Sequence, residues 1–287
     1  MNKNLDDLIQ QLTLQAIAED SFLGKSTDLF NTGRIFGGQI LGQALAAAQQ
    51  TIDPARHAHS LHAYFVRPGN TKLPIQFDVT RSRDGRSFSV RHVTASQENK
   101  VIFQMSCSFQ LLEEGLERFD AWPDEVLPPE QCLDYQDAMA KLFHGRDKAE
   151  FFDQQAFEVR MPYVDRILER AQDRYTMAWY KAAGPLPKDD LVQKSLLAYI
   201  SDFNLLYSSV YRNGFYQHDD KFQMASLDHA MWFHRPIDLN QWHLYVNTST
   251  TTMGSRSLCM GQVYSEDGVL IASTAQEGLT RINNRKK

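Results

Sequence analysis

Asp202 is the acid hardest to explain as a surface charge. It falls in the segment Leu191 to Tyr207, where Leu191, Val192, Leu196, Leu197, Tyr199, Ile200, Phe203, Leu206 and Tyr207 surround most of a predicted helix with apolar groups. Asp190 is the predicted N-cap of that helix. Three and four residues from Asp202 stand Ala198, Tyr199, Leu205 and Leu206, so an unpaired carboxylate would be placed at high cost in an apolar stripe. Two readings follow: a structural acid satisfied by tyrosine, serine or backbone donors, or a general base that takes a proton from water. The helix alone does not decide for catalysis.

Other chemistries lack their residues. The chain has no GxSxG elbow, Walker A loop, GxGxxG turn or HExxH pair. His57, His59 and His62 are crowded, but no acid or cysteine accompanies them at a ligand spacing, so no metal and no cofactor are expected. Cys107, Cys132 and Cys259 are odd in number and far apart, and they read as small apolar fillers.

The elements that must position these residues come as a repeat. SLHAYFVRP (60–68) is answered by SLDHAMWFHRP (226–236), with two extra residues in the second copy, and VIFQMSCS (101–108) aligns without a gap on VLIASTAQ (269–276). Each copy has a helix pattern before its strands. In the first it is FGGQILGQALAAAQQTI (36–52), which stops before Asp53-Pro54. The strands are punctuated by Asp84-Gly85, between PIQFDVT (74–80) and SFSVRHVT (87–94), and by Asp267-Gly268, between LCMGQVY (258–264) and VLIASTAQ. A buried helix wrapped by an antiparallel sheet, made twice, satisfies both patterns and gives an α+β fold. The predicted organisation is an N-terminal module over 1–112, a linker over 113–155 rich in acids and prolines, and a C-terminal module over 156–287.

SDFNLL (201–206), MASLDHAMWFHRP (224–236) and ASTAQEG (272–278), in that order, resemble the acyl-CoA thioesterase II family, as do FGGQILGQAL (36–45), HAYFVRPG (62–69) and RDGRSFSVR (83–91) in the first half. The resemblance implies a double hot-dog fold and a catalytic trio of Asp, Thr or Ser, and Gln from the second half. These fall on Asp202, Ser226 and Gln276. It implies hydrolysis of medium- to long-chain fatty acyl-CoA, with Asp202 as general base and the Ser226 hydroxyl and Gln276 amide holding the water. Ser226 need not be a nucleophile, since no histidine is placed by sequence as its base.

For the oxyanion, backbone N–H groups at a helix start are a common resource, and Gly37 and Gly38 are candidates. His62 and His229 could support the site, a core or surface role being the plainer reading. Ser60 aligns with Ser226 and Ser108 with Gln276, but the first helix carries no acid, so the first half is expected to lack a complete trio. Arg67, Arg83, Arg86, Arg235 and Arg256 are natural partners for the CoA phosphates.

Two alternatives remain. A hydratase acting on enoyl-CoA would have a similar architecture but uses a histidine five residues after its aspartate, where this chain has Tyr207. A non-catalytic acyl-CoA-binding module would not need the trio.

Composition bounds the rest. The chain has 287 residues, 43% hydrophobic and 23% charged, and a net charge of -5, which suggests about two domain-sized units and no general nucleic-acid binding. MNKNLDDLIQQL lacks the features of a secretory signal, no apolar run is long enough for a membrane span, and NNRKK at the end is neither a peroxisomal nor an ER-retention signal. A cytoplasmic location follows. The resemblance implies edge strands and an outer sheet face covered by a second subunit, and uncovered edges are a liability, so a homodimer or homotetramer is expected.

Overall fold

The computed structural model describes residues 3–29, 32–142, 156–169, 174–215 and 222–282. In chain order the elements are α1 (Lys3–Leu12), β1 (Gln15–Ala18), β2 (Ser21–Gly24), α2 (Gly37–Gln49), β3 (Arg56–Phe65), β4 (Ile75–Asp84), β5 (Phe88–Gln97), β6 (Lys100–Leu111), β7 (Leu133–Asp134), α3 (Tyr135–Leu142), β8 (Phe157–Met161), α4 (Val164–Leu168), β9 (Thr176–Ala182), α5 (Asp190–Ser201), α6 (Tyr207–Arg212), β10 (Phe222–Ser226), β11 (Asp228–Phe233), β12 (His243–Met253), β13 (Arg256–Ser265) and β14 (Leu270–Ile282).

The described strands form one antiparallel sheet in the order β1-β2-β4-β5-β6-β3-β11-β14-β13-β12-β9-β8-β7, with β10 added on β14. The first half supplies the run from β1 to β3 and the second half the remainder. They join where β3 pairs with β11, with Leu61 opposite Met231 and Ser60 opposite Trp232. Period-two burial on β5, β11 and β14 turns one side of the sheet inward, and α2 and α5 fill the space it wraps. This is the double hot-dog arrangement. The Asp84-Gly85 and Asp267-Gly268 turns fall at the β4–β5 and β13–β14 hairpins, and Gly268 takes a positive φ of 84°.

The two helices run antiparallel and very close. A Cβ at Gly38 would lie 2.1 Å from the Tyr199 carbonyl oxygen, and one at Gly42 would lie 2.8 Å from that of Ser195. The small-residue face of FGGQILGQAL is thus what lets backbone approach backbone.

The predicted boundaries shift in three places. The helix is capped by Asp189, whose carboxylate accepts from the N–H of Leu191 and Val192, and not by Asp190. It ends at Ser201 and does not run to Tyr207, because Asn204 adopts a left-handed φ of 64° and α6 starts afresh at Tyr207. Of the stretch read as a linker, residues 143–155 lie outside the described residues. The part before them is attached to the second half: β7 pairs with β8, Tyr135 and Met139 of α3 are buried, and Trp122 stacks edge-on against Trp179 at 6.1 Å.

Candidate active site

Asp202 stands one residue beyond the last turn of α5, as its C-cap. Ending the helix there has two consequences: the carboxylate leaves the apolar stripe, and the antiparallel crossing brings it to the first turn of α2. Its side chain is only 5% exposed. Gln276 Nε2 donates to Asp202 Oδ1 at 2.6 Å, and the Gly38 backbone N–H and the Ser226 hydroxyl stand near enough to the same carboxylate to favour its charged form. A Cβ at Gly37 would sit 2.5 Å from Asp202 Oδ2, so only glycine leaves the carboxylate room at this point. Aspartate at a helix N-terminus is also favoured by the aligned peptide dipoles.

The three predicted residues therefore converge, and a fourth group, the Gly38 N–H, joins them from the other half of the chain. The Gly38 N–H, an oxyanion candidate by sequence, thus lies on the side of α2 that faces Asp202.

The strand carrying Ser226 is broken beside the site. The first copy's equivalent, β3, has a one-residue register shift against β6 between Ala58 and Ser60 but runs on as one strand, whereas the second is divided at Leu227 into β10 and β11. Against β14, Ser226 pairs with Gly278 and Ala230 with Ala275, so four steps on one strand face three on the other. The extra residue of such a bulge re-aims neighbouring side chains, and Gln276 lies opposite the break.

All the donors to Asp202 are neutral. Burial is the largest influence on its carboxyl and raises it from the usual 3.8 to about 6, against the lowering effect of Gln276, Gly38 and Ser226. Two buried acceptors in the site have no partner among the described residues: Gln276 Oε1 and His229 Nδ1. His229, on β11, is fully buried. Burial holds it neutral by pushing it down from 6.5 to about 3, and its Nδ1 lies 3.9 Å from Asp202 Oδ1. The sequence placed it only as one of two supporting histidines. The other, His62, is on the outer face, edge-on to Trp232 at 5.2 Å.

The remaining residues singled out by sequence go elsewhere. His59 Nε2 bonds the Ser108 hydroxyl at 2.8 Å, and His57 Nδ1 bonds Asp190 at 2.8 Å. Arg67 and Arg235 each donate to a backbone carbonyl, of Val101 and Leu270, and Arg256 pairs with Glu277 at 3.0 Å. Arg83 and Arg86 are exposed.

Comparison with known proteins identifies the family. Residues 146–279 match the acyl-CoA thioesterase family and residues 27–110 match the acyl-CoA thioesterase N-terminal domain. The chain is 38% identical to acyl-CoA thioesterase 2 of Haemophilus influenzae, over 99% of this chain and 100% of that protein. It is 36% identical to human acyl-coenzyme A thioesterase 8, over 94% of this chain and 88% of that protein. Among solved structures, the acyl-CoA thioesterase II of Mycobacterium marinum superposes with a TM-score of 0.79 at 32% identity, covering 97% of this chain and 99% of that one. A hot-dog protein of Alicyclobacillus acidocaldarius, at 20% identity and a TM-score of 0.78, shares the fold. With both halves matched and full-length relatives well above 30% identity, this chain belongs to the acyl-CoA thioesterase family.

Proposed function

We propose that this acyl-CoA thioesterase hydrolyses medium- to long-chain fatty acyl-CoA by direct attack of water activated by Asp202. The observation that carries this reading is a buried carboxylate held by neutral donors alone, with the Gln276 amide on it at 2.6 Å. Without a cation beside it, such a carboxylate keeps the affinity for a proton that a base needs near neutral pH. Water gives one proton to Asp202 while its oxygen bonds to the thioester carbon, and the bare Gln276 Oε1 accepts a hydrogen bond from the O–H that stays on that oxygen. When the carbon–sulfur bond breaks, the departing CoA sulfur takes the proton from Asp202, leaving free acid and CoA. Ser226 orients and is not acylated. Phe36 and Phe65, partly buried beside Gly37, suit an apolar chain. Faster turnover of a four-carbon than of a twelve-carbon acyl-CoA would remove the chain-length part.

The test is Asp202→Asn, which keeps shape and hydrogen bonding but cannot take the proton. The expected fall in kcat is about 10²- to 10⁴-fold, with little change in acyl-CoA binding. Stability changes in the opposite sense. Because the folded carboxyl is raised from 3.8 to about 6, the folded state is favoured most below the lower value, and that advantage is lost as pH climbs through the upper one. At pH 7 the cost of the charge is about 3 kcal/mol, so the Asn variant should melt at the same or a higher temperature. A folded variant with near-normal kcat would end the mechanism.

Self-association as a homodimer or homotetramer is part of the same reading. Tyr64, Phe88 and Met260 are exposed on strands of the outer sheet face, at 66%, 42% and 37%, and an apolar face of this kind is suited to a second subunit. Light scattering that returned a monomer at micromolar concentration would remove it. A cytoplasmic address accords with three cysteines that are all free and buried.

A further inference from the structure

His229 is the buried titratable group that the mechanism above leaves unused. Its Nε2 lies 3.0 Å from the Ser201 hydroxyl oxygen. That hydroxyl has one proton, and it is spent on the Ala198 carbonyl at 2.8 Å, so towards the imidazole Ser201 is an acceptor. The ring must then carry its proton on Nε2 and leave Nδ1 bare. Ser201 is itself pinned: the Tyr245 hydroxyl donates to its carbonyl at 2.9 Å and is tied to Thr274 at 2.7 Å. The bare Nδ1 is buried without a partner among the described residues, 3.9 Å from Asp202 Oδ1.

We propose that His229 is a positioning residue for the hydrolysis: locked by Ser201 as the Nε2–H tautomer, it turns a lone pair and not a proton towards Asp202, and so preserves the carboxylate as a base. The inference rests on Asp202 being the general base. At 3.9 Å the contact is too long for a hydrogen bond, yet in a water-poor interior the dipole of a facing lone pair opposes the anion. Once Asp202 has taken the proton the carboxyl is neutral and that opposition is relieved, which favours the acid form as it develops. The other tautomer would act in reverse: an Nδ1–H aimed at the carboxylate would stabilise the anion and weaken the base.

The groups facing Asp202 are few. α2 offers the Gly38 N–H, β10 the Ser226 hydroxyl, β14 the Gln276 amide and β11 His229, while β12 offers Tyr245, whose phenol burial keeps protonated well above its usual range. Asp228 and Glu277 stand at the alternate positions of β11 and β14, where the Glu277 N–H donates to Asp228 at 2.6 Å.

Two variants separate positioning from mere support. His229→Gln keeps a side chain able to reach Ser201 but lacks the Nδ1 lone pair. Ser201→Ala keeps the histidine but frees its tautomer. In both, the acidic limb of the kcat/KM against pH profile should move down by about one pH unit, and plateau kcat should fall about 3- to 10-fold with KM less affected. Nitrogen NMR of the wild-type imidazole should give the Nε2–H tautomer, unprotonated at pH 5.

A purely structural histidine would lower the melting temperature and leave the limb in place. An unmoved limb in folded variants, or a wild-type Nδ1–H tautomer, overturns the inference. If His229→Gln fails to fold, Ser201→Ala and the NMR measurement still decide it. An inactive Asp202→Asn together with an unmoved limb defeats this inference alone, whereas an active Asp202→Asn defeats the base assignment beneath it.

Discussion

The antiparallel pair α2 and α5 has two ends, and each end holds an aspartate in a different setting. At one end, Asp202 is buried with a glutamine, a serine and a backbone N–H, all uncharged. At the other, Asp190 Oδ2 receives the buried Lys194 ammonium at 2.7 Å and His57 at 2.8 Å and is 31% exposed. There the C-cap of α2, in the role that Asp202 plays for α5, is the exposed Gln50. The position of Gln276 is taken over by Ser108, which bonds His59. The contrast separates two uses of one side chain. A carboxylate matched by a cation holds structure together, whereas one solvated only by neutral donors retains an appetite for a proton.

Removing the donors should have its largest effect at the uncharged end. Gln276→Ala takes away both the hydrogen bond to Asp202 and the bare Oε1, and Ser226→Ala takes away a second donor. We expect kcat to fall about 10²-fold for the first and about 10-fold for the second, with folding retained. Steady-state hydrolysis beside a melting curve measures both.

Gly38→Ala probes the join between the halves. The new Cβ would meet the Tyr199 carbonyl oxygen at 2.1 Å, and backbone cannot yield as a side-chain tip can. α2 must back away from α5, which should cost about 1–3 kcal/mol of stability and withdraw the N–H from Asp202. Activity at 20 °C should drop about 10-fold. Normal activity in a folded variant would mean that the first half is a bystander.

The smallest effect belongs to the first half's own serines. Ser60→Ala and Ser108→Ala should leave kcat within about 2-fold of wild type, because neither side chain touches the Asp202 group and isolated polar deletions of this kind act mainly on stability. Losses equal to those of the second-half variants would abolish the distinction drawn above.

Much of this was legible in the residues. The repeat, both hairpin turns and the glycine-led start of α2 follow from patterns local to the chain, and the family resemblance points to Asp202 and Gln276, which the fold brings into contact. What was not legible depends on contacts between distant segments. The apolar run through Tyr207 continues helical spacing past Ser201, and only the left-handed Asn204 interrupts it, a conformation that asparagine tolerates without announcing it. Asp189 and Asp190 are equal as caps by type; packing selects the first by giving the second to Lys194 and His57. Gly38 reads as an oxyanion candidate in the sequence, and only the helix crossing brings Asp202 near it. His229 differs from any core histidine only through the Ser201 proton, and no periodicity encodes where a hydroxyl points.

The β3–β11 pairing carries a consequence for ancestry. Two identical chains meeting across such a seam would be bound by symmetry: whatever residue served one end of the helix pair would recur at the other, and every change would be felt twice. Joining the copies in one polypeptide lifts that rule. Each copy can then drift alone, so that one end holds a carboxylate among neutral groups while its twin was free to become an anchor of charged groups. On this view the chain is a duplicate that gained a division of labour, and Gly38 records the debt one copy still owes the other.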